Sequence, residues 1–148
     1  MSLTDKIFIN LPVTDVARAT AFYEALGATR NAKFSDDTTS CILLSDHIHL
    51  MLLSRERFTG FLPGFEVAAP HGPVAMFNCI TQPSKAAVHH VVDAAAAHGG
   101  TADITPTEDN ESMLGRSFAD PDGHLWEVLW MDPEFAENGP GEMADAAA

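Results

Sequence analysis

The sequence predicts an α+β protein built from two βαβββ modules. Three observations carry that reading. Each half of the chain runs strand, helix, then three short strands. Both helices end on glycine at matching places, in Leu26-Gly27-Ala28-Thr29 and in His98-Gly99-Gly100-Thr101. The closing strands, Leu50–Leu53 and Trp126–Leu129, follow at comparable distances, 24 residues from Gly27 to Met51 and 28 from Gly99 to Glu127. One hairpin absorbs that difference. A duplicated supersecondary unit usually buries its apolar face against its copy.

The elements follow in order. Residues 6–13 alternate in character and read as a strand. Thr14-Asp15 supplies a helix cap, and Val16, Ala19, Phe22, Tyr23 and Leu26 form one apolar helical face, stopped at Gly27. Strands are expected at 29–35, 39–45 and 48–53, with Asp36-Asp37 and Asp46 in the turns. The second half opens with a strand at 74–81. Pro83-Ser84 then starts a helix through Val88, Val91, Val92 and the alanines to Ala97. Strands at 101–106, 113–119 and 124–131 complete it, with Glu108-Asp109-Asn110 and Asp120-Pro121-Asp122-Gly123 as turns. The expected organisation is a first module over 1–53, a linker over 54–72 with a helical turn near Arg55–Phe58, a second module over 73–131, and an acidic, flexible tail over 132–148.

Composition narrows the function. The 148 residues are 46% hydrophobic and 20% charged, ordinary for a globular chain. Eight Lys+Arg against 21 Asp+Glu give a formal net charge of −13. Such a surface repels phosphate backbones and anionic lipid, so neither nucleic acid nor membrane is an expected partner. No apolar run approaches the ~20 residues of a transmembrane helix, and no signal peptide opens the chain. A cytoplasmic protein is expected. Cys41 and Cys79 stand alone inside apolar strands and read as small buried thiols, not as a disulfide or zinc knuckle.

The strongest single signal is Asp120 to Trp130, where turn chemistry feeds a run of strand formers whose only charge is Glu127. An ionised carboxylate in a buried strand is costly unless it is paired, protonated or bound to a metal. Glu127 is therefore the first candidate for function.

Asn10-Leu11-Pro12-Val13-Thr14-Asp15, then Ala21 through Gly27, then Asp120-Pro121-Asp122-Gly123 through Glu127 resemble the vicinal oxygen chelate superfamily of glyoxalase I, bleomycin-resistance proteins and extradiol dioxygenases. The Asn-Leu-Pro-Val variant is most similar to the group labelled "predicted lactoylglutathione lyase". The resemblance spans about residues 5–131. It implies a cupped mixed sheet made by the two modules, in which each module gives one metal ligand from its first strand and one from its last. Those positions fall at Phe8, Met51, Phe77 (Ala75 with a two-residue slip) and Glu127. Only Glu127 keeps a ligating side chain, and a divalent ion needs three or four nitrogen or oxygen ligands. Side chains two apart share a strand face, so Asn10 follows Phe8 and His49 follows Met51. Asn10, His49 and Glu127 could form a displaced site for Zn, Ni, Fe or Mn; alternatively they hydrogen-bond among themselves and no metal binds.

Other candidates carry less. His89 and His90 are adjacent on a helix and point to different faces, while His98 suits a helix C-terminus. His71 lies in the linker, and His124 alternates away from Glu127 along with Trp126, Val128 and Trp130, a face expected under a helix. No nucleophile elbow, phosphate loop or dinucleotide fingerprint is present. Of the eight bases, only Lys6 shares the parity of the cup-facing first strand, so a doubly anionic glutathione substrate is disfavoured unless a partner subunit brings Arg55 or Arg116 across.

Two functions are consistent with these residues. One is a lyase, isomerase or related dioxygenase with Glu127 as general base or metal ligand, acting next to a carbonyl. The other is a non-catalytic binder that sequesters a cationic, aromatic small molecule in an apolar cup lined by Phe8, Asn10, Met51, Phe77 and Leu129. A homodimer is expected in either case, with cavities at module or subunit junctions.

Overall fold

A computed structural model describes residues 1–141 and has the expected α+β architecture. The first module comprises β1 (Ile7–Val13), α1 (Val16–Ala25), β2 (Thr29–Asn31), β3 (Thr39–Leu43) and β4 (Ile48–Ser54). Its sheet runs β1-β4-β3-β2, with β1 parallel to β4 and the remaining pairs antiparallel. Helix α2 (Arg55–Phe61) opens the linker. The second module holds β5 (Phe77–Thr81), α3 (Lys85–Ala97), β6 (Thr101–Ala102), β7 (Glu108–Asp109), β8 (Met113–Ala119) and β9 (Leu125–Met131). Its sheet runs β5-β9-β8-β6, with β7 also on β8 and β5 parallel to β9. Helix α4 (Pro133–Asn138) follows.

The caps are those the sequence announces. The Asp15 carboxylate accepts from Arg18 N and the Ser84 hydroxyl from Ala87 N, each satisfying a first-turn amide that the helix itself leaves free. Gly27 follows α1 at φ 110°, a conformation with little cost only for glycine.

The differences are local. The strand expected over 29–35 ends at Asn31, because the Asn31 side chain accepts from Lys33 N and turns residues 32–34 into one 3-10 turn. Strand β5 begins at Phe77, opposite Leu125 at the start of β9, so residues before it have no ladder partner. The strand expected over 101–106 shrinks to two residues because Asp103 takes φ 56° and turns out to meet Arg116, and Glu108-Asp109 pairs with β8 instead of forming a turn. Cys79 is exposed rather than buried, because β5 is the edge strand of its sheet; Cys41 is buried as expected. Residues 133–138 of the acidic tail form a helix capped by Asp132. The flexible-tail expectation for 142–148 lies outside the described residues. Among those described, no helix is long and apolar enough to cross a membrane.

One core joins the modules. It includes Phe22 and Tyr23 of α1, Val88, Val91 and Val92 of α3, Ile42, Leu50 and Leu52 of the first sheet, and Leu114, Phe118, Trp126 and Val128 of the second. Helix α1 touches both sheets: Phe22 lies 6.0 Å from Phe118, and Tyr23 lies 6.1 Å from Trp126. The helices therefore form a layer between the sheets, which are not hydrogen-bonded to each other. The opposite face of each sheet looks away from this shared core; on the first sheet it is partly covered, with Thr39, Cys41, His49 and Leu53 buried.

Candidate functional site

Strand alternation fixes what those outward faces carry. On the first sheet Leu11, Val13, Leu50 and Leu52 point to the core, so Phe8, Asn10, His49 and Met51 point outward. On the second, Trp126 and Val128 point inward, so Phe77, Cys79, Glu127 and Leu129 point outward. All six residues read as substrate-facing or catalytic thus lie on the two outward faces, three on each. Phe8, Asn10 and Phe77 are exposed, whereas Met51, Glu127 and Leu129 are half-buried.

On the first face, Phe8 and His49 are register partners and their rings stack, with centroids 4.5 Å apart and planes 27° from parallel. His49 is only 6% exposed. Its Nε2 lies 3.2 Å from the Asp46 carbonyl, which accepts only if Nε2 carries the proton. In the neutral ring Nδ1 then holds a lone pair, buried and without a hydrogen-bond partner among the described residues.

On the second face, Glu127 sits between Cys79 on β5 and Ser117 on β8 in register. Crowding around the Cys79 sulfur raises its pKa, and the hydrogen bond to Glu127 and that carboxylate's charge add to the effect, pushing the thiol up to about 11. Cys79 is therefore a neutral thiol beside the carboxylate at physiological pH, with its Sγ 3.9 Å from the Ile80 carbonyl. The fully buried Ser117 hydroxyl accepts from Thr105 N at 3.0 Å and from Thr105 Oγ1 at 2.8 Å. This holds the 103–107 turn against the strand beside Glu127.

Glu127 and His49 occupy different sheets, and no hydrogen bond among the described residues joins them. No group of three or more His, Cys, Asp or Glu side chains suited to a metal ion occurs among the described residues. Within one chain Phe8, Met51 and Phe77 hold three of the four ligand positions that the resemblance gives, and none of them supplies a nitrogen or oxygen ligand for a divalent ion.

The Asp-Pro-Asp-Gly turn does more than reverse the chain. Asp120, only 2% exposed, accepts from Asp122 N and His124 N through Oδ1 and from the Tyr23 hydroxyl through Oδ2 at 2.6 Å. Asp122 Oδ1 accepts from Thr14 N at 2.8 Å and Thr14 Oγ1 at 2.7 Å, and His124 Nε2 donates to the Pro12 carbonyl. These bonds clasp the second module to the start of α1. The motif segments therefore meet as a structural joint. The available hint was Tyr23 itself, whose hydroxyl on an apolar helical face needs a buried partner.

The remaining candidates make contacts within the chain. Arg116 forms a bidentate pair with Asp103 and also reaches Asp93 and His89. Arg55 donates to the Ala68 carbonyl and His98 meets the Ala94 carbonyl. His71 reaches the Pro121 carbonyl.

The sequence profile of the Glyoxalase/Bleomycin resistance protein/Dioxygenase superfamily matches residues 7–128. No curated protein matches the chain. Among solved structures, a hypothetical protein SA1046 from S. aureus is similar with TM-score 0.72 and 20% identity, over 87% of this chain and 95% of that one. A glyoxalase-related enzyme from Fulvimarina pelagi is similar with TM-score 0.72 and 22% identity, over 86% and 88%. A glyoxalase/bleomycin resistance protein/dioxygenase family enzyme from Burkholderia phytofirmans PsJN is similar with TM-score 0.69 and 14% identity, over 87% and 100%. At these identities the likeness is one of fold.

Proposed function

The chain belongs to the glyoxalase/bleomycin resistance protein/dioxygenase superfamily, and from that premise we propose that it binds a small organic molecule without a metal, in a cup completed by a second copy. The observation that carries this reading is Glu127, a half-buried carboxylate among Leu125, Leu129 and Phe77, with a neutral thiol beside it and no convergent ligand set among the described residues. Such a face suits a cationic aromatic guest, whose charge meets Glu127 and whose rings meet the apolar side chains. The −13 net charge draws the same class of molecule.

The need for a second copy follows from the faces. Each chain presents two half-cups on separate sheets, and each carries an exposed phenylalanine, Phe8 at 51% and Phe77 at 44%. A homodimer that opposes the first sheet of one protomer to the second sheet of its partner covers both rings and brings Asn10, His49 and Met51 opposite Glu127. In this reading the protein acts in the cytoplasm.

A second reading, lyase or isomerase chemistry, draws on the same pair, since a half-buried carboxylate beside a neutral thiol suits taking a proton next to a carbonyl. Calorimetric titration of proflavine, a cationic aromatic probe, into wild type and Glu127→Gln separates the two. Loss of binding by about tenfold or more in the variant, with elemental analysis free of stoichiometric Zn, Ni, Fe or Mn, supports the binder. Equal binding by both proteins overturns it. Hemithioacetal isomerisation that disappears with Glu127→Gln supports the enzyme instead.

A further inference from the structure

The clasp closes only one of two related junctions. Counting from the helix caps, Phe22 and Tyr23 stand seven and eight residues after Asp15; at the same distances from Ser84 stand Val91 and Val92. The Asp120–His124 turn, which seals the first junction, corresponds to the turn at 44–47, which has no Asp-Pro-Asp-Gly. Two aromatic rings and a buried carboxylate clasp are thus replaced by two valines and a shorter turn. Beside this second junction lies a cavity of about 980 Å³, between α3, the end of α1, the 44–48 turn and the open edge of β5.

We propose that this cavity, which borders the outward face at Cys79 but is not lined by Glu127, is a second binding site for a neutral and mostly apolar small molecule. Its volume lies within the roughly 300–1,000 Å³ typical of ligand pockets. Among the described residues no Asp, Glu, Lys or Arg lines it, although the chain is strongly acidic. A cationic guest finds no carboxylate there, and an anionic one is repelled by the surrounding field. The floor is also spent as a hydrogen-bonding surface. Trp126 Nε1 donates to the Tyr23 hydroxyl, which donates to Asp120, so the aromatic floor offers no free donor. Polar recognition is left to the rim, where Gln82 and His90 stand beside apolar walls from Leu44, Ile80 and Val91. That pattern fits an apolar body with one or two hydrogen-bonding groups at one end.

The full-length chain can be titrated with N-phenyl-1-naphthylamine, a neutral apolar fluorophore. Saturable one-to-one binding with quenching of tryptophan emission is the expected result, along with much weaker binding of anionic 8-anilinonaphthalene-1-sulfonate. Val91→Phe restores the aromatic that the first helix carries and should weaken binding at least tenfold. Ala87→Leu, at a half-buried helical position, narrows the same cavity with less demand on the core. Glu127→Gln should leave this binding unchanged, which keeps the test independent of the outward-face reading. Unaltered probe binding in either cavity-filling variant that folds overturns the proposal. So does loss of probe binding in Glu127→Gln. A change in sedimentation mass with probe binding intact overturns it as well, assigning the cavity to a second copy of the chain.

Discussion

Tyr23 and Asp120 lie 97 positions apart and meet in the core through a 2.6 Å hydrogen bond, the phenol donating to the carboxylate. The pair ties the first helix to the turn that opens the last strand, and Trp126 completes it by donating to the same phenol oxygen at 3.1 Å. Tyr23→Phe removes the donor while leaving Asp120 buried. The loss should be about 1.5–3 kcal/mol, the range for a hydrogen bond to a charged group. Urea unfolding of the two proteins measures it, and a difference below ~0.5 kcal/mol would show that the clasp contributes little.

The same phenol makes a pH prediction. Burial, then the charge and hydrogen bond of Asp120, hold the Tyr23 pKa well above its ordinary value of 10.0. The folded state therefore binds this proton more tightly than the unfolded chain does. The corresponding stability is fully present below about pH 10 and is lost as the pH rises through the folded value. Wild type should lose stability more steeply than Tyr23→Phe above pH 10, while their slopes agree between pH 7 and 9. Parallel slopes throughout would contradict the assignment.

How much of this was legible from the chain depends on distance along it. Asp15 and Ser84 announce helix starts because a capping side chain acts within three residues, and Gly27 announces a stop for a similarly local reason. Which of Phe8, Asn10, Met51, Phe77, Glu127 and Leu129 share a strand face follows from alternation; the expectation that the two sets line one cup does not, because they stand on two separate sheets. What escaped was the relation between the modules. It rests on Tyr23–Asp120 and Thr14–Asp122, separated by 97 and 108 positions, and no local pattern encodes such pairs. The exposure of Cys79 escaped for a related reason: composition marks a strand, but only topology says that the strand is an edge.

Thr14 and Asp122 supply a second test of the joint. One carboxylate oxygen accepts from both the backbone and the hydroxyl of Thr14. Thr14→Val removes only the hydroxyl and Asp122→Asn weakens both bonds, so their effects should not add. A double-mutant cycle should give a coupling of about 0.5–2 kcal/mol. Additive losses would mean that the hydroxyl and the carboxylate act independently.

Arg116 predicts behaviour in acid. Its bidentate pair with Asp103 holds that carboxyl below its ordinary value of 3.8. A carboxyl depressed on folding contributes stability that is present above its unfolded value and is lost as the pH falls through the folded one. Asp103 is 42% exposed, so solvent screens much of the effect. Arg116→Gln should therefore flatten the stability curve modestly below pH 4 and leave its shape above pH 6 unchanged. An acid limb identical to wild type would remove the ion pair from the account of stability.

Cys79 reports directly on Glu127. The thiolate is the reacting species in alkylation, and a neighbouring carboxylate opposes its formation. With the thiol pushed up to about 11, labelling by iodoacetamide at pH 8 should be slow despite the exposure of Cys79, and Cys41 is protected by burial. Glu127→Gln removes the charge but keeps the shape, so Cys79 should react several-fold faster. Phe77→Ala, which opens the same face without touching the charge, should change the rate much less. Peptide mapping after timed labelling distinguishes these effects. Equal rates in wild type and Glu127→Gln would mean that the carboxylate and thiol do not interact, and the proposed anchor would lose its positioning partner.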